Sequence, residues 1–279
     1  MLLALDVGNT NTVLGLYKLT PGAEPELVAD WRITTSRAQT ADEYGILFRS
    51  LFTMRGLEPD CVTGIIISSV VPPLDSTLRS VGERYFKLRP VFVEPGIKTG
   101  LPVHVDNPSE VGADRIANSV AAFEKFGGPC VVVDLGTATT FDVVSKKGEF
   151  LGGAIAPGLG ISADALFSRA ARLTRVDVRK PSKVIGTNTT QNIQIGLYYG
   201  YIGLVDGILE KMVAELGAET KCVATGGLAT LIAGGSKYIT AVDDMLTLEG
   251  LRIIYERNSE HPKERRPESG PERKQKRPS

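Results

Sequence analysis

One pattern occurs twice in this chain, and it limits the possible fold more than any other feature of the sequence. The segments LALDVGNTNTVLGLY, starting at Leu3, and VVVDLGTATTFDVVS, starting at Val131, follow one order: apolar strand, aspartate, apolar residue, glycine, polar turn, apolar strand. Apolar runs on both sides of a Gly-containing turn predict a β-hairpin. A hairpin repeated with its aspartate in the same register predicts a chain built from two related halves.

The remaining segments are predicted to alternate between strands and helices. Strands are expected over residues 2–6, 12–19 and 27–35. A helix should then begin at Thr40 and Glu43, which form a T-x-x-E capping box. One continuous helix is predicted from residue 108 to 126, another ends near residue 173, and a last amphipathic helix covers 246–258.

A long helix is predicted over residues 188–216, and four glycines recur along it at helical spacing. Glycine is unfavourable inside a helix, so such a stripe indicates that another backbone packs close to it. That backbone belongs either to another helix of this chain or to a second subunit. The four residues are Gly196, Gly200, Gly203 and Gly207.

Composition narrows the function classes. The 32 basic and 32 acidic residues balance, so bulk charge favours neither a nucleic-acid nor a membrane partner. No apolar run reaches membrane-spanning length, and no signal peptide is evident. The three cysteines, Cys61, Cys130 and Cys222, lie far apart and indicate free thiols in the cytoplasm. Because there are only two histidines, acid–base chemistry is expected to fall to carboxylates.

Each strand-Asp-x-Gly hairpin suits a phosphate and a metal ion. The glycine lets the backbone approach a ligand closely, and amide groups of the turn can hold phosphate oxygens. Asp6 and Asp134 are carboxylates of the type that holds Mg²⁺. Two such hairpins facing each other across a cleft would grip one nucleotide polyphosphate, with the TGG turn at residues 225–227 as a third contact. No G-x-x-x-x-G-K-[ST] motif occurs, which excludes a P-loop enzyme.

The segment EVGADRIANS is the other feature that predicts a site. Asp114 and Asn118 are four residues apart and share one face of a helix. Arg115 adds a fork for a carboxylate or a phosphate. Gly112 and Asp114 are poor residues for a helix interior, and this local conflict favours a site over a surface ion pair.

Five motifs in this order resemble the type III pantothenate kinases, within the superfamily of acetate and sugar kinases, heat-shock chaperones and actin. The motifs are DVGNTNT, DNPSEVGADRIAN, DLGTATTFDVV, GGAIAPGL and TGGLA. The resemblance runs from Met1 to about Asn258. It implies an α/β fold of two duplicated ribonuclease-H-like (actin-like ATPase) domains, 1–115 and 116–257, with a nucleotide cleft between them. Residues 258–279 are expected to form a disordered basic tail.

The resemblance also implies ATP-dependent phosphorylation of pantothenate, the first step of coenzyme A biosynthesis, by a homodimer with active sites near the subunit interface. It implies Mg²⁺ near Asp6, a monovalent cation (K⁺ or NH₄⁺) at Asp134, and Asp114 as the general base. Val105 stands where some members carry an aromatic substrate contact. The implied ATP-binding residues are Asp6, Val7, Gly8, Asn9, Thr10, Asn11, Thr12, Val13 and Thr137, and the implied pantothenate-binding residues are Gly112, Ala113, Asp114, Arg115 and Thr189.

Other functions remain open on the residues alone. The hairpins fit another small-molecule alcohol kinase of the same superfamily, and also a phosphatase that acts on nucleotides or polyphosphate. A non-catalytic regulatory member is less favoured, because a binding protein would not need all three of Asp6, Asp114 and Asp134. A chaperone or filament ATPase fits poorly, because the chain is short and has no appended peptide-binding domain.

Overall fold

The computed structural model describes residues 1–170 and 172–259, so most of the predicted basic tail lies outside the described residues. The first half contains β1 (Leu2–Val7), β2 (Asn11–Lys18), β3 (Glu26–Thr34), α1 (Ala41–Met54), β4 (Gly64–Ser69), α2 (Pro72–Tyr85) and β5 (Val91–Phe92). The second contains α3 (Ala113–Phe126), β6 (Cys130–Leu135), β7 (Ala138–Val144), β8 (Phe150–Pro157), α4 (Leu159–Arg169), α5 (Thr189–Leu216), β9 (Lys221–Thr225), α6 (Ala229–Ala233), β10 (Ile239–Val242) and α7 (Leu246–Ser259).

Each half of the chain forms a five-stranded sheet, and the two sheets have the same topology. The first has the strand order β3-β2-β1-β4-β5, and the second has the equivalent order β8-β7-β6-β9-β10. In both, the hairpin and the third strand are antiparallel, while the remaining two strands run parallel to the first. The two related halves predicted from the repeated hairpin, and the duplicated α/β fold implied by the family resemblance, are therefore confirmed.

Both faces of each sheet are covered, which explains the apolar sequences of β1 and β6. Leu3 and Leu5 point outward into a core shared with α1 and α2, whereas Leu2 and Ala4 point inward to α3 and α7. Successive side chains alternate between the faces of a strand, so Asp6 continues the inward series. In β6 the same alternation turns Asp134 inward after Val132.

Helices α3 and α7 form the layer between the sheets. They pack on each other, and α7 also contacts β1, β2 and β4 of the first sheet, although these strands lie far from it in sequence. The close approach depends on Gly250, because a Cβ atom there would lie 1.9 Å from the carbonyl oxygen of Ala117. The predicted boundary after residue 115 falls inside α3, and the division into domains 1–115 and 116–257 stays a prediction.

Several local predictions are tested by the helices and strands. The capping box is confirmed, since Thr40 accepts from the Glu43 amide and Glu43 accepts from the Thr40 amide. The prediction of one continuous helix over 108–126 is wrong. A single 3₁₀ turn, Pro108–Glu110, is followed by extended backbone at Val111, and α3 begins after Gly112. Helix α4 ends at Arg169, before the predicted residue 173. The short edge strand β10 was not predicted.

The long helix α5 begins after Asn188 as predicted, with the Asn188 side chain accepting from the amide of Gln191. Within the part of the chain that the structure describes, no helix is both long and apolar enough to cross a membrane.

Gly250→Ala is expected to lower the free energy of unfolding by about 1–3 kcal/mol, because the added methyl group forces α7 away from α3. The measurement is urea unfolding followed by circular dichroism. Gly234→Ala is the matched control: its Cβ would meet its nearest neighbour at 3.5 Å and φ is −64°, so it should change stability by less than about 0.5 kcal/mol. Equal effects of the two changes would contradict the close α3–α7 contact.

Candidate active site

The turns of the two repeated hairpins meet each other. The hydroxyl groups of Thr10, after β1, and Thr137, after β6, lie 2.8 Å apart and share a hydrogen bond. Both turns are closed by backbone hydrogen bonds, from the Gly8 amide to the Asn11 carbonyl and from the Gly136 amide to the Ala138 carbonyl. The contact joins the two halves at the carboxyl ends of β1 and β6, where open α/β sheets bind their ligands.

A cleft opens behind this contact, and most of the predicted ATP-binding segment, residues 6–13, lines it. Val7 and Thr12 do not: Val7 packs into the outer core, and the Thr12 hydroxyl bonds that of Thr35 at 2.8 Å. The predicted TGG turn also borders the cleft through Thr225, Gly226 and Gly227. The residues of the predicted sites that line the cleft are Asp6, Gly8, Asn9, Thr10, Asn11, Val13, Asp114, Asp134 and Thr137.

Besides the exposed Asp244, three carboxyl groups share the cleft, from Asp6, Asp114 and Asp134. Burial raises the pKa of Asp6 to about 8, with further contributions from the negative charges of Asp114 and Asp134. Burial, and then Asp114, raises the pKa of Asp134 to about 7, and burial also raises the pKa of Asp114. The carboxylates therefore disfavour one another's ionised forms in the absence of a compensating cation.

The donors fit a hard cation that takes other ligands from elsewhere. Asp6, Asp114 and Asp134 offer only oxygen, which suits Mg²⁺ and K⁺ better than a soft metal. Among the described residues, no group of three or more His, Cys, Asp or Glu side chains is close enough to hold one metal ion. A cation here would need phosphate oxygens, backbone carbonyls or water beside one carboxylate, as Mg²⁺ commonly does.

Asp114 lies in the first turn of α3, which changes the reasoning that led to it. The sequence placed Gly112 and Asp114 inside a helix as unfavourable residues, and that placement is wrong. Gly112 caps the helix, and an acidic residue in the first turn is stabilised by the helix dipole. The Asp114 carboxylate accepts from the Arg115 amide at 2.8 Å and still reaches the cleft.

Arg115 contacts protein rather than open space. Its guanidinium group donates to Oδ1 of Asp142 at 2.7 Å from Nε, with Nη2 2.6 Å from the same oxygen. Asp142 is fully buried, whereas 17% of the Arg115 side chain is exposed. Thr140 donates to the second oxygen of Asp142 at 2.9 Å. Substrate binding by Arg115 stays a prediction. Asp142, which pairs with Arg115, is not among the residues predicted from the sequence.

Asp134 is held by a residue of the predicted GADRIAN motif. The side-chain amide of Asn118 donates to Oδ2 of Asp134 at 3.1 Å, and Thr247 of α7 donates to the Asn118 carbonyl oxygen at 2.7 Å. Thr247 had no sequence signal, because it is an ordinary residue at a helix start. Other cleft residues that sequence reasoning did not name are Arg32, Val70, Gly136, Ala138, Thr140, Asp244 and Leu248.

The remaining predicted substrate residues are not brought together with the cleft. Thr189 is exposed at the start of α5, and neither Gly112 nor Ala113 lines the cleft. Ala113 borders a separate, more apolar pocket that includes Val93, Val103 and Ile116. Val105 packs near Gly152 of β8, 3.5 Å from the position of a Cβ atom there.

Two copies of this sheet that meet over phosphate-type loops define the class of actin-like ATPases and sugar kinases. The structure of a putative 2-dehydro-3-deoxygalactonokinase from Sinorhizobium meliloti matches with a TM-score of 0.55 and 13% identity, covering 92% of this chain and 96% of that one. A conserved putative Baf family transcriptional activator from Campylobacter jejuni matches with a TM-score of 0.58 and 20% identity, covering 93% and 100%. At these identities the similarity concerns the fold alone.

Sequence comparison decides the family. The family model described as type III pantothenate kinase matches residues 2–211. A Koribacter versatilis protein named type III pantothenate kinase is 66% identical over 270 residues, covering 95% of this chain and 98% of that protein. An Acidobacterium capsulatum protein of the same name is 63% identical over 257 residues, covering 92% and 94%. The chain belongs to the type III pantothenate kinase family, as its motifs predicted.

The raised pKa of Asp6 predicts a pH-dependent stability. Asp6 has an ordinary pKa of 3.8 in the unfolded chain and about 8 in the folded one, so the folded state binds more protons between these values. The ligand-free protein should therefore lose stability as the pH rises from about 4 to about 8. Asp6→Asn should make this fall shallower and raise the free energy of unfolding at pH 8 by roughly 1–2 kcal/mol.

The measurement is urea unfolding at pH 5 and pH 8 without ligands. Asp244→Asn, at an exposed aspartate on the rim of the same cleft, is the control and should stay within about 0.5 kcal/mol of the unsubstituted protein at both values. A pH dependence as steep in Asp6→Asn as in the unsubstituted protein would show that Asp6 does not hold its proton in the folded state.

Proposed function

We propose that the cleft transfers the γ-phosphate of ATP to the primary hydroxyl group of pantothenate, the first step of coenzyme A biosynthesis. Membership of the type III pantothenate kinase family supplies the reaction. The observation that carries the proposal for this site is the meeting of Thr10 and Thr137, which brings both Asp-x-Gly turns to one cleft beside Asp114. A polyphosphate chain bound between the turns would lie next to a candidate base.

The turns supply the contacts to ATP. Asn9, Thr10 and Asn11 of the first turn and Thr137 of the second line the cleft. The two asparagine amides can donate to phosphate oxygens, and so can whichever hydroxyl accepts in the Thr10–Thr137 hydrogen bond. Asp6 would hold Mg²⁺, and Asp134 would hold a monovalent cation, K⁺ or NH₄⁺. Such cations neutralise negative charge on the phosphates, and the oxygen donors of both residues suit them.

Asp114 is proposed as the general base. Phosphoryl transfer passes through a loose transition state in which positioning and charge neutralisation dominate, so the base needs to accept the hydroxyl proton only late. The pKa of Asp114 is raised by burial, which makes its carboxylate a better proton acceptor than an exposed aspartate. The hydrogen bond from the Arg115 backbone amide to one oxygen of Asp114 fixes the orientation of the carboxylate.

A second copy of the chain is proposed to complete the site. The predicted stripe on α5 has no intrachain partner among the described residues, because a Cβ atom at each of its four glycines would meet nothing within 4 Å. Apolar side chains on neighbouring elements are also exposed, including Ile155 of β8 at 65% and Ile161 of α4 at 43%. We infer that α5 pairs in a homodimer, which would place Thr189 against a substrate in the other subunit.

The cytoplasm is the proposed location. Cys61, Cys130 and Cys222 are all free thiols, and Cys130 and Cys222 are buried, which suits a reducing compartment.

Asp114→Asn should reduce kcat by roughly 10²–10⁴-fold, the usual contribution of a general base, without unfolding the protein. Product formation from ATP and pantothenate is measured by mass spectrometry, with KCl and with choline chloride. Asp60→Asn, at an exposed aspartate of the first half, is the control and should keep full turnover. Normal turnover by folded Asp114→Asn would refute the assignment of the base, and transfer to other alcohols in preference to pantothenate would favour the rival kinase function.

Gly200→Leu should convert the dimer to a folded monomer, because a leucine on the glycine stripe separates two packed backbones. The mass is measured by light scattering after gel filtration, and the fold by circular dichroism. Glu83→Leu places the same side chain at an exposed position of α2 and should leave the mass unchanged. A monomeric unsubstituted protein, or a Gly200→Leu variant that remains dimeric, would remove α5 as the interface.

A further inference from the structure

Two consecutive hydrogen bonds link α7 to α3 and α3 to Asp134 of β6. The Thr247 hydroxyl, in the first turn of α7, donates to Oδ1 of Asn118 at 2.7 Å. The Nδ2 group of Asn118, on α3, donates to Oδ2 of Asp134 at 3.1 Å. Thr247 and Asn118 are 129 residues apart in sequence, so only the packing of α7 on α3 brings them together.

These two hydrogen bonds fix the orientation of the Asn118 side-chain amide. Asn118 is fully buried, and its side chain has one accepting end and one donating end. Asp134 must be ionised to hold a cation, and an ionised carboxylate only accepts hydrogen bonds, so the Nδ2 end faces Asp134 in that state. The Thr247 hydroxyl supplies the donor that the Oδ1 end then needs. Without that hydroxyl, the buried Oδ1 atom would lack a partner, which is costly enough to favour a different side-chain orientation.

The orientation of Asn118 decides which oxygen of Asp134 is available. Oδ2 is occupied by the Asn118 bond. Oδ1 points to the backbone of two glycines: a Cβ atom would lie 2.6 Å from it at Gly226 and 3.5 Å from it at Gly136. Both glycines border the cleft, and neither has a side chain of its own that would cover Oδ1. A rotation of the carboxylate would exchange these two roles.

We propose that Thr247 is a positioning residue for the monovalent cation: it orients Asn118, which holds Oδ2 of Asp134 and so directs Oδ1 into the cleft. The inference rests on the proposed cation role of Asp134. It assigns a task at the site to α7, which otherwise serves as the packing partner of α3. Residues that orient a metal ligand commonly change metal affinity by about 10–100-fold when they are removed.

The test is Thr247→Val, which keeps the shape of the side chain and removes the hydroxyl. Turnover is measured in a KCl titration at constant ionic strength with choline chloride, at saturating ATP and pantothenate. The KCl concentration for half-maximal activation should rise about 10-fold. Thr247→Ser restores the hydroxyl and should return this concentration toward that of the unsubstituted protein.

A binding measurement accompanies the kinetics. The thermal unfolding midpoint is followed against KCl concentration with a non-hydrolysable ATP analogue and no pantothenate. Thr247→Val should need about 10-fold more KCl for the same rise in midpoint. The matched control is Thr240→Val on β10, which removes a hydroxyl that donates a hydrogen bond to the Cys222 carbonyl at 3.1 Å. This variant should respond to KCl as the unsubstituted protein does. Thr247→Ala replaces Thr247→Val if the latter fails to fold.

The outcomes separate this inference from the proposed function. Equal KCl responses of Thr247→Val, Thr247→Ser and the unsubstituted protein would overturn the positioning role while leaving the cation site intact. No KCl response in the unsubstituted protein would overturn both the cation role of Asp134 and the inference. Phosphopantothenate formation, detected by mass in the same reactions, reports on the kinase function independently of either result.

Discussion

The packing of α3 against α7 is the contact on which the rest of the structure depends. Gly250 lets the two backbones approach because a side chain at that position would collide with the Ala117 carbonyl. The two helices then fill the space between the sheets, so each sheet buries its inner face on them. Asp114 of α3 and Thr247 of α7 line the cleft, and the buried Asn118 of α3 joins Thr247 to Asp134. These positions follow from this one contact.

The electrostatics of the cleft oppose the stability of the ligand-free chain. Asp6, Asp114 and Asp134 are surrounded by protein and by one another's negative charge, and burial raises the pKa of each. A site of this kind is stabilised by cations that arrive with a polyphosphate ligand, and ligand binding adds to stability by mass action. The cost in the free protein and the affinity for cations thus have the same physical origin.

The ion pair between Arg115 and Asp142 works differently, because each charge has a partner inside the protein. Burial raises the pKa of Asp142 to about 6, and the nearby Arg115 guanidinium limits that rise. Removal of one partner would leave the other charge buried and unpaired, which is strongly destabilising. The pair ties the first turn of α3 to β7, so the backbone that carries Asp114 is anchored to the second sheet.

Local sequence determined much of this protein. The hairpins, the capping box at Thr40 and the inward direction of Asp6 and Asp134 follow from turn chemistry and from the two-residue period of a strand. The buried Asp142 also has a signal in the sequence, an aspartate within an apolar strand. The tertiary structure alone decided the start of α3 at Ala113, the pairing of Arg115 and the chain from Thr247 to Asp134. These features join residues far apart in sequence, and no local pattern encodes which of them meet.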